Sequence, residues 1–283
     1  MNRKATRPIG IFDSGVGGLT VVREIHRALP FEELIYLGDT ARVPYGTKSP
    51  DTVTRFARED AQFLVKRGVK ALVVACNTVS AWALPALEEW LTLPIFGVIE
   101  PGAQVALEKT RNGRIGVVAT ATTIRSRAYE VAINRLDSKA RVFPKACPLL
   151  VPLVEEGWLR HPVTLAVLKE YLRPLLREKI DTLILGCTHY PLLKPLIRRV
   201  TGPKVALVDS AECCARFVAA RLSQAGLLHP RQERRGLLHS FVTDDPERFE
   251  AVAAQFLGGP VEQAWKVELP PVKLALTGAR SSR

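Results

Sequence analysis

Short, continuously apolar runs alternate along the chain with longer stretches in which apolar positions recur every three or four residues. Residues 9–12, 34–37, 69–75, 95–98, 115–119, 182–185 and 205–208 read as strands. Residues 18–29, 52–67 and 164–178 read as amphipathic helices, and Ser49-Pro50-Asp51 supplies an N-cap and an early proline for the second. Strands apolar throughout their length, separated by helices, predict an α/β fold of parallel sheets with helices on both faces.

Two strand segments recur. Residues 7–14 resemble residues 113–120 at an offset of 106, and residues 71–78 resemble 181–189 at an offset near 111. Two matches in the same order predict two similar α/β domains, which enclose a cleft if they face each other. The expected first domain is 1–98 plus 209–270 and the second 99–208, with Pro94 and Pro101-Gly102 marking the crossing. After Asp209 we expect a helix, a β-like piece at 238–242, and a helix at 246–257 that packs back on the first half. A loose basic tail is expected at 271–283.

The 283 residues are 47% hydrophobic and 24% charged, which excludes wholesale disorder. No apolar run approaches the ~20 residues of a membrane span, and Pro8, Gly10 and Asp13 interrupt any signal peptide. These features predict a cytoplasmic, non-exported protein without a membrane partner. The formal net charge of +12 invites a nucleic-acid reading, but Arg3, Lys4, Arg7, Lys273, Arg280 and Arg283 put half of that excess on the two ends. The clusters Arg198-Arg199 and Arg231 to Arg235 have no interleaved aromatic residues, so nucleic-acid binding is not expected.

Five cysteines without an export signal argue against a disulfide framework. Cys147, Cys213 and Cys214 read as small buried hydrophobes. Cys76 and Cys187 differ from them. In open parallel sheets ligands gather at the carboxyl ends of strands. Those ends carry Asp13-Ser14-Gly15, Gly38-Asp39-Thr40, Cys76-Asn77-Thr78, Thr120 and Cys187-Thr188-His189. Each half therefore offers one thiol before a helix start, where the helix field is expected to lower its pKa. Two thiols facing one cleft suit inversion at a carbon, one removing a proton while the other delivers one to the opposite face. A zinc site at Cys187 and His189 lacks further ligands at suitable spacing, so no metal is expected. The turn Gly15-Val16-Gly17-Gly18-Leu19-Thr20 approaches a dinucleotide fingerprint, yet has Thr where the third glycine belongs and the anionic Asp13 beside it. No nucleotide cofactor is expected.

Residues 9–20, Gly38-Asp39-Thr40, Pro44-Tyr45-Gly46, Ala75-Cys76-Asn77-Thr78, Leu153-Val154-Glu155-Glu156-Gly157 and Gly186-Cys187-Thr188-His189-Tyr190-Pro191 together resemble the bacterial glutamate racemases. The resemblance spans about residues 8 to 258. It implies a cofactor-independent isomerase that supplies D-glutamate for peptidoglycan and works as a homodimer. It also implies that Cys76 deprotonates D-glutamate with help from Asp13, that Cys187 deprotonates L-glutamate with help from His189, and that Asp39 and Glu155 contribute to catalysis. Substrate contacts are implied for Asp13, Ser14, Tyr45, Gly46, Asn77, Thr78, Thr120, Thr123, Thr188 and His189. Thr122 departs from the family pattern, which often has Gly there, and leaves the local contacts less defined.

Two other readings compete. An aspartate racemase of the same architecture is disfavoured by His189, because aspartate-specific relatives tend to carry an acid at that place. A basic binding protein with a nucleic-acid or topoisomerase-directed role rests only on the net charge.

Overall fold

The computed structural model describes residues 4–230, 233–261 and 263–272, and the expected tail at 271–283 lies outside them except for its first two residues. Among the described residues ten strands form two sheets: β1 (Ile9–Asp13), β2 (Leu34–Gly38), β3 (Ala71–Val74), β4 (Ile95–Gly97), β5 (Arg114–Ala119), β6 (Arg141–Ala146), β7 (Thr182–Gly186), β8 (Ala206–Asp209), β9 (Leu238–Val242) and β10 (Ala264–Lys266). The first sheet has the order β10-β9-β2-β1-β3-β4 and the second β6-β5-β7-β8. Every pairing is parallel.

β2-β1-β3-β4 and β6-β5-β7-β8 are the same arrangement used twice, and the two repeated sequence segments are its first and third strands in each sheet. In both sheets the chain leaves the first strand to one side and returns for the third on the other. That reversal opens a crevice at the strands' carboxyl ends. Asp13 and Cys76 flank it in one sheet, Thr120 and Cys187 in the other.

Burial explains the strand sequences. Every residue of β1, β2 and β7 is buried, as a sheet covered on both faces requires. Along β1, Ile9 and Ile11 join one apolar cluster and Phe12 another, as alternation dictates. The Ile9–Ile11 cluster runs on without interruption into Ile115, Val117, Leu183 and Leu185 of the second sheet. Helix Ser210–Gln224 bridges the two sets, packing on Leu19–Ala28 and on Ile99–Lys109.

Local signals set most helix ends. Ser49 caps Pro50–Lys66 by accepting from the Thr52 N–H, and Asp245 caps Pro246–Leu257 by accepting from Arg248. Pro101-Gly102 stands in the connection from β4 of the first sheet to β5 of the second, in a helix and not in a loop. It lies in the first turn of Ile99–Lys109, where a proline removes no intrahelical hydrogen bond. Strand β6 was not expected, because Pro144 interrupts its pattern; it is an edge strand, where proline is tolerated. Among the described residues no helix is long and apolar enough to cross a membrane.

Candidate active site

A cavity of about 390 Å³ opens between the carboxyl ends of the two sheets, and Cys76 and Cys187 both line it. Cys76 follows β3 and occupies the N-cap position of helix Asn77–Trp82. Its Sγ donates toward Ser14 Oγ at 3.8 Å. Asp13 ends β1 one layer behind, its Oδ2 accepting from the Gly15 and Gly18 N–H groups at 3.2 and 3.0 Å. Its Oδ1 is buried without a hydrogen-bond partner among the described residues.

Cys187 follows β7, and its Sγ lies 3.9 Å from His189 Nδ1. His189 Nε2 is 2.9 Å from Glu155 Oε1, and the ring meets Phe256 edge-on at 5.3 Å. The glycine-rich turn after β1 serves this assembly. A Cβ on Gly17 would lie 2.4 Å from His189 Cε1 and Nδ1 and from Thr188 Oγ1, and one on Gly18 would lie 2.4 Å from Asp13 Cβ. The turn is therefore bare so that one half can seat the other half's imidazole. Thr20 completes the seam by donating to the Thr188 carbonyl at 2.9 Å.

Two threonine hydroxyls line the cavity, backed by a third. Thr78 Oγ1 lies 3.0 Å from Thr120 Oγ1 and 3.1 Å from Thr123 Oγ1, and the last two are 2.9 Å apart. Tyr129 donates to Asn77 Oδ1 at 2.7 Å, which turns the amide nitrogen of Asn77 the other way.

The electrostatics of the two thiols are unlike. Burial, and then the neighbouring Asp13 carboxyl, push the Cys76 thiol up to about 12. The expectation of a lowered Cys76 pKa is thus reversed: the Val79 N–H and Ser14 pull it down, but loss of solvent outweighs them. Burial also raises Asp13, against the nearby His189 charge and three backbone N–H groups. Burial opposes a charge on His189, yet its hydrogen bonds to Cys187 and Glu155 and their charges outweigh this and lift it to about 10. The balance favours the imidazolium form of His189.

The sequence model of the Asp/Glu/Hydantoin racemase family matches residues 9–218. The chain belongs to that family. It is 55% identical over 267 residues to the glutamate racemase of Geobacter metallireducens, covering 94% of this chain and 98% of that one. Among solved structures it is similar to the RacE1 glutamate racemase of Bacillus anthracis, with a TM-score of 0.90 and 43% identity over 94% of this chain and 99% of that one. It is also similar to the Francisella tularensis glutamate racemase in complex with D-glutamate, with a TM-score of 0.87 and 37% identity over 94% and 98% of the two chains. The chain is thus an amino-acid racemase of the glutamate racemase group, an isomerase.

Of the racemase residues expected from sequence, Ser14, Tyr45, Gly46, Cys76, Asn77 and Thr78 line the cavity from the first half. Thr120, Glu155, Cys187, Thr188 and His189 line it from the second. Asp13, Asp39 and Thr123 do not. Asp13 stands behind Cys76, and Thr123 supports Thr78 and Thr120. Asp39 is fully buried behind the cavity wall and accepts from Arg42, Tyr45 and Thr243.

The racemase cavity has a further apolar wall made of Pro148, Val151 and Pro152, with the Cys147 thiol beside them. Burial pushes that thiol up to about 12. This wall follows β6, so missing that strand meant missing its carboxyl end. Thr122, the residue that departs from the family pattern, donates to the Gly46 carbonyl at 2.6 Å and ties the two halves across the cavity mouth. Trp82 Nε1 donates to the Thr122 carbonyl at 3.1 Å from the other side.

Proposed function

We propose that this racemase interconverts L- and D-glutamate by two-base proton transfer between Cys76 and Cys187, without a cofactor. The observation that carries the reading is one thiol from each sheet in a single cavity, each with its own ionisable partner. With L-glutamate bound, the Cys187 thiolate takes the α-proton and the C–H electron pair stays on the α-carbon, delocalised into the carboxylate. Cys76, protonated at rest, returns a proton to the opposite face and becomes the thiolate. The reverse reaction exchanges the roles. Asp13, with its unpartnered Oδ1, assists proton transfer at Cys76, and the imidazolium of His189, held by Glu155, assists Cys187.

Carboxylates of the substrate are received by the hydroxyls of Ser14, Thr78, Thr120 and Thr188, by Asn77, and by backbone N–H groups at Gly46. Thr123 supports them. No Lys or Arg is among the described residues lining the cavity. Closure against water keeps the carbanion from stray protons. The expected division into 1–98 plus 209–270 and 99–208 assigns one thiol to each α/β domain. D-Glutamate so formed serves peptidoglycan, and the enzyme works in the cytoplasm as a homodimer. Kinship with glutamate racemases supports these points.

The test is incubation with L-glutamate in D₂O without added cofactor, followed by circular dichroism and by NMR of the α-position. Loss of optical activity with α-deuteration is expected, and Cys76→Ala and Cys187→Ala should each abolish it while keeping the wild-type far-UV spectrum. Near-normal turnover in either variant refutes the two-thiol reading. Exchange with aspartate but not glutamate overturns the substrate alone.

A further inference from the structure

Behind the Tyr45 wall lies a cluster of ionisable side chains that does not reach the cavity. Arg42 donates from Nε to Asp39 Oδ2 at 2.6 Å, from Nη2 to Asp60 Oδ1 at 3.1 Å, and from Nη1 to Glu59. Its guanidinium lies 4.0 Å from the centre of the Phe56 ring, which also packs on Tyr45. Asp39 and Asp60 are both fully buried. Three carboxyl groups therefore share one guanidinium at a site in which only Arg42 keeps substantial contact with solvent.

Counting protons resolves the arrangement. The Tyr45 hydroxyl touches Asp39 Oδ2 closely and lies 3.2 Å from Asp60 Oδ2, but a phenol has only one proton to give. Asp39 receives donors on both oxygens, from Arg42 and Tyr45 on Oδ2 and from Thr243 on Oδ1 at 2.9 Å, and acts as acceptor throughout. Asp60 Oδ2 then faces a phenol oxygen whose proton is spent. Two lone pairs would oppose each other there unless Asp60 itself supplies the hydrogen. Burial and the adjacent Asp39 act the same way, holding Asp60 well above the usual carboxylate range against Arg42 and Tyr45.

We propose that Asp60 is a positioning residue: as the carboxylic acid it donates to the Tyr45 hydroxyl, and with Asp39 it fixes the Tyr45–Gly46 wall against which glutamate binds. At the Tyr45 hydroxyl the wall is held by Asp39 and Asp60. Tyr45–Thr47 is a single 3₁₀ turn, with Gly46 pressed on Thr120 so closely that a Cβ would meet it at 2.9 Å. Neither thiol belongs to the cluster, so loosening it weakens substrate binding and leaves proton transfer largely intact.

The proposal rests on the reading that this cavity holds glutamate, and steady-state kinetics separates the two. Asp60→Ala should raise KM for both enantiomers roughly tenfold, the effect of leaving buried partners unpaired, with kcat within about threefold. Asp60→Asn should restore KM to within about twofold of wild type, because its amide donates to Tyr45 and its oxygen accepts from Arg42. Asp60→Asn as impaired as Asp60→Ala would overturn the proposal, since a charge would then be what matters. So would an unchanged KM in Asp60→Ala with only a lower melting temperature. If Asp60→Ala does not fold, Asp60→Ser carries the test: its short side chain leaves Tyr45 without the donor, so a KM rise at preserved kcat is expected, and a wild-type KM overturns it. Absence of glutamate turnover in the wild-type enzyme would instead sink the reading of the cavity.

Discussion

Gly17→Ala is a one-carbon change that tests whether the seating of His189 matters. The added Cβ would lie 2.4 Å from His189 Cε1 and Nδ1 and from Thr188 Oγ1, whereas ordinary contact begins near 3.4 Å, so about 1 Å of movement is needed. The imidazole cannot easily yield. Glu155 holds its Nε2 at 2.9 Å, and Phe256 packs edge-on against the ring. Overpacking of this kind costs about 1–3 kcal/mol, which at roughly 2–4 °C per kcal/mol is a visible but survivable drop in Tm. The effect on rate should be larger in proportion, since a displacement of ~1 Å at a reacting group can cost on the order of 100-fold. Initial rates of α-deuteration from both enantiomers, alongside a thermal melt, give both quantities. A folded Gly17→Ala enzyme within about threefold of wild-type rate would refute the claim that this turn registers His189 against Cys187.

Three further outcomes are expected. Because the folded pKa of His189 is raised from 6.5 to about 10, its contribution to stability is fully present below about 6.5 and is lost as pH rises through about 10. His189→Asn should therefore flatten the dependence of Tm on pH between those limits, and an unchanged slope would contradict the assignment of charge. Thr122→Val removes the hydroxyl that donates to Gly46 across the cavity mouth. At about 0.5–1.5 kcal/mol for one hydrogen bond, KM should rise roughly 2- to 10-fold, and a KM equal to wild type would deny the clasp any part in binding. Finally, Asp13→Asn should bring the Cys76 thiol down from about 12, seen as thiol alkylation accelerating at lower pH; alkylation with an unaltered pH dependence would mean the carboxyl is not what raises it.

The sequence was most legible where one element satisfies its own requirements. Helix Pro246–Leu257 carries its cap and its apolar stripe within a dozen residues, and both ends fall where those signals put them. Strand β6 failed that test because only its edge position, a property of the whole sheet, makes Pro144 acceptable. Its loss hid the wall at Pro148, Val151 and Pro152. Pro101-Gly102 does stand between the two sheets, but as part of a first helical turn, which proline suits as well as a linker. At the site, strand-end position found both thiols but could not tell residues that line the cavity, such as Ser14, from those that stand behind it, such as Asp13. The Cys76 thiol went the wrong way because helix position is local, whereas the loss of solvent that dominates it comes from the chain folding around it.

The unlike surroundings of the two thiols bear on how the enzyme can be asymmetric at all. L- and D-glutamate are mirror images with identical free energies in water, so their equilibrium constant is unity whatever the protein does. The Haldane relation then forces kcat/KM to be equal in the two directions. A thiol raised by burial and a carboxyl on one side, and one facing an imidazolium on the other, can still favour one bound enantiomer. Whichever is held more tightly must be turned over more slowly by the same factor. Differences between the Asp13–Cys76 and Cys187–His189 sides therefore surface only as paired changes in kcat and KM, and a substitution on either side alters both directions of kcat/KM equally.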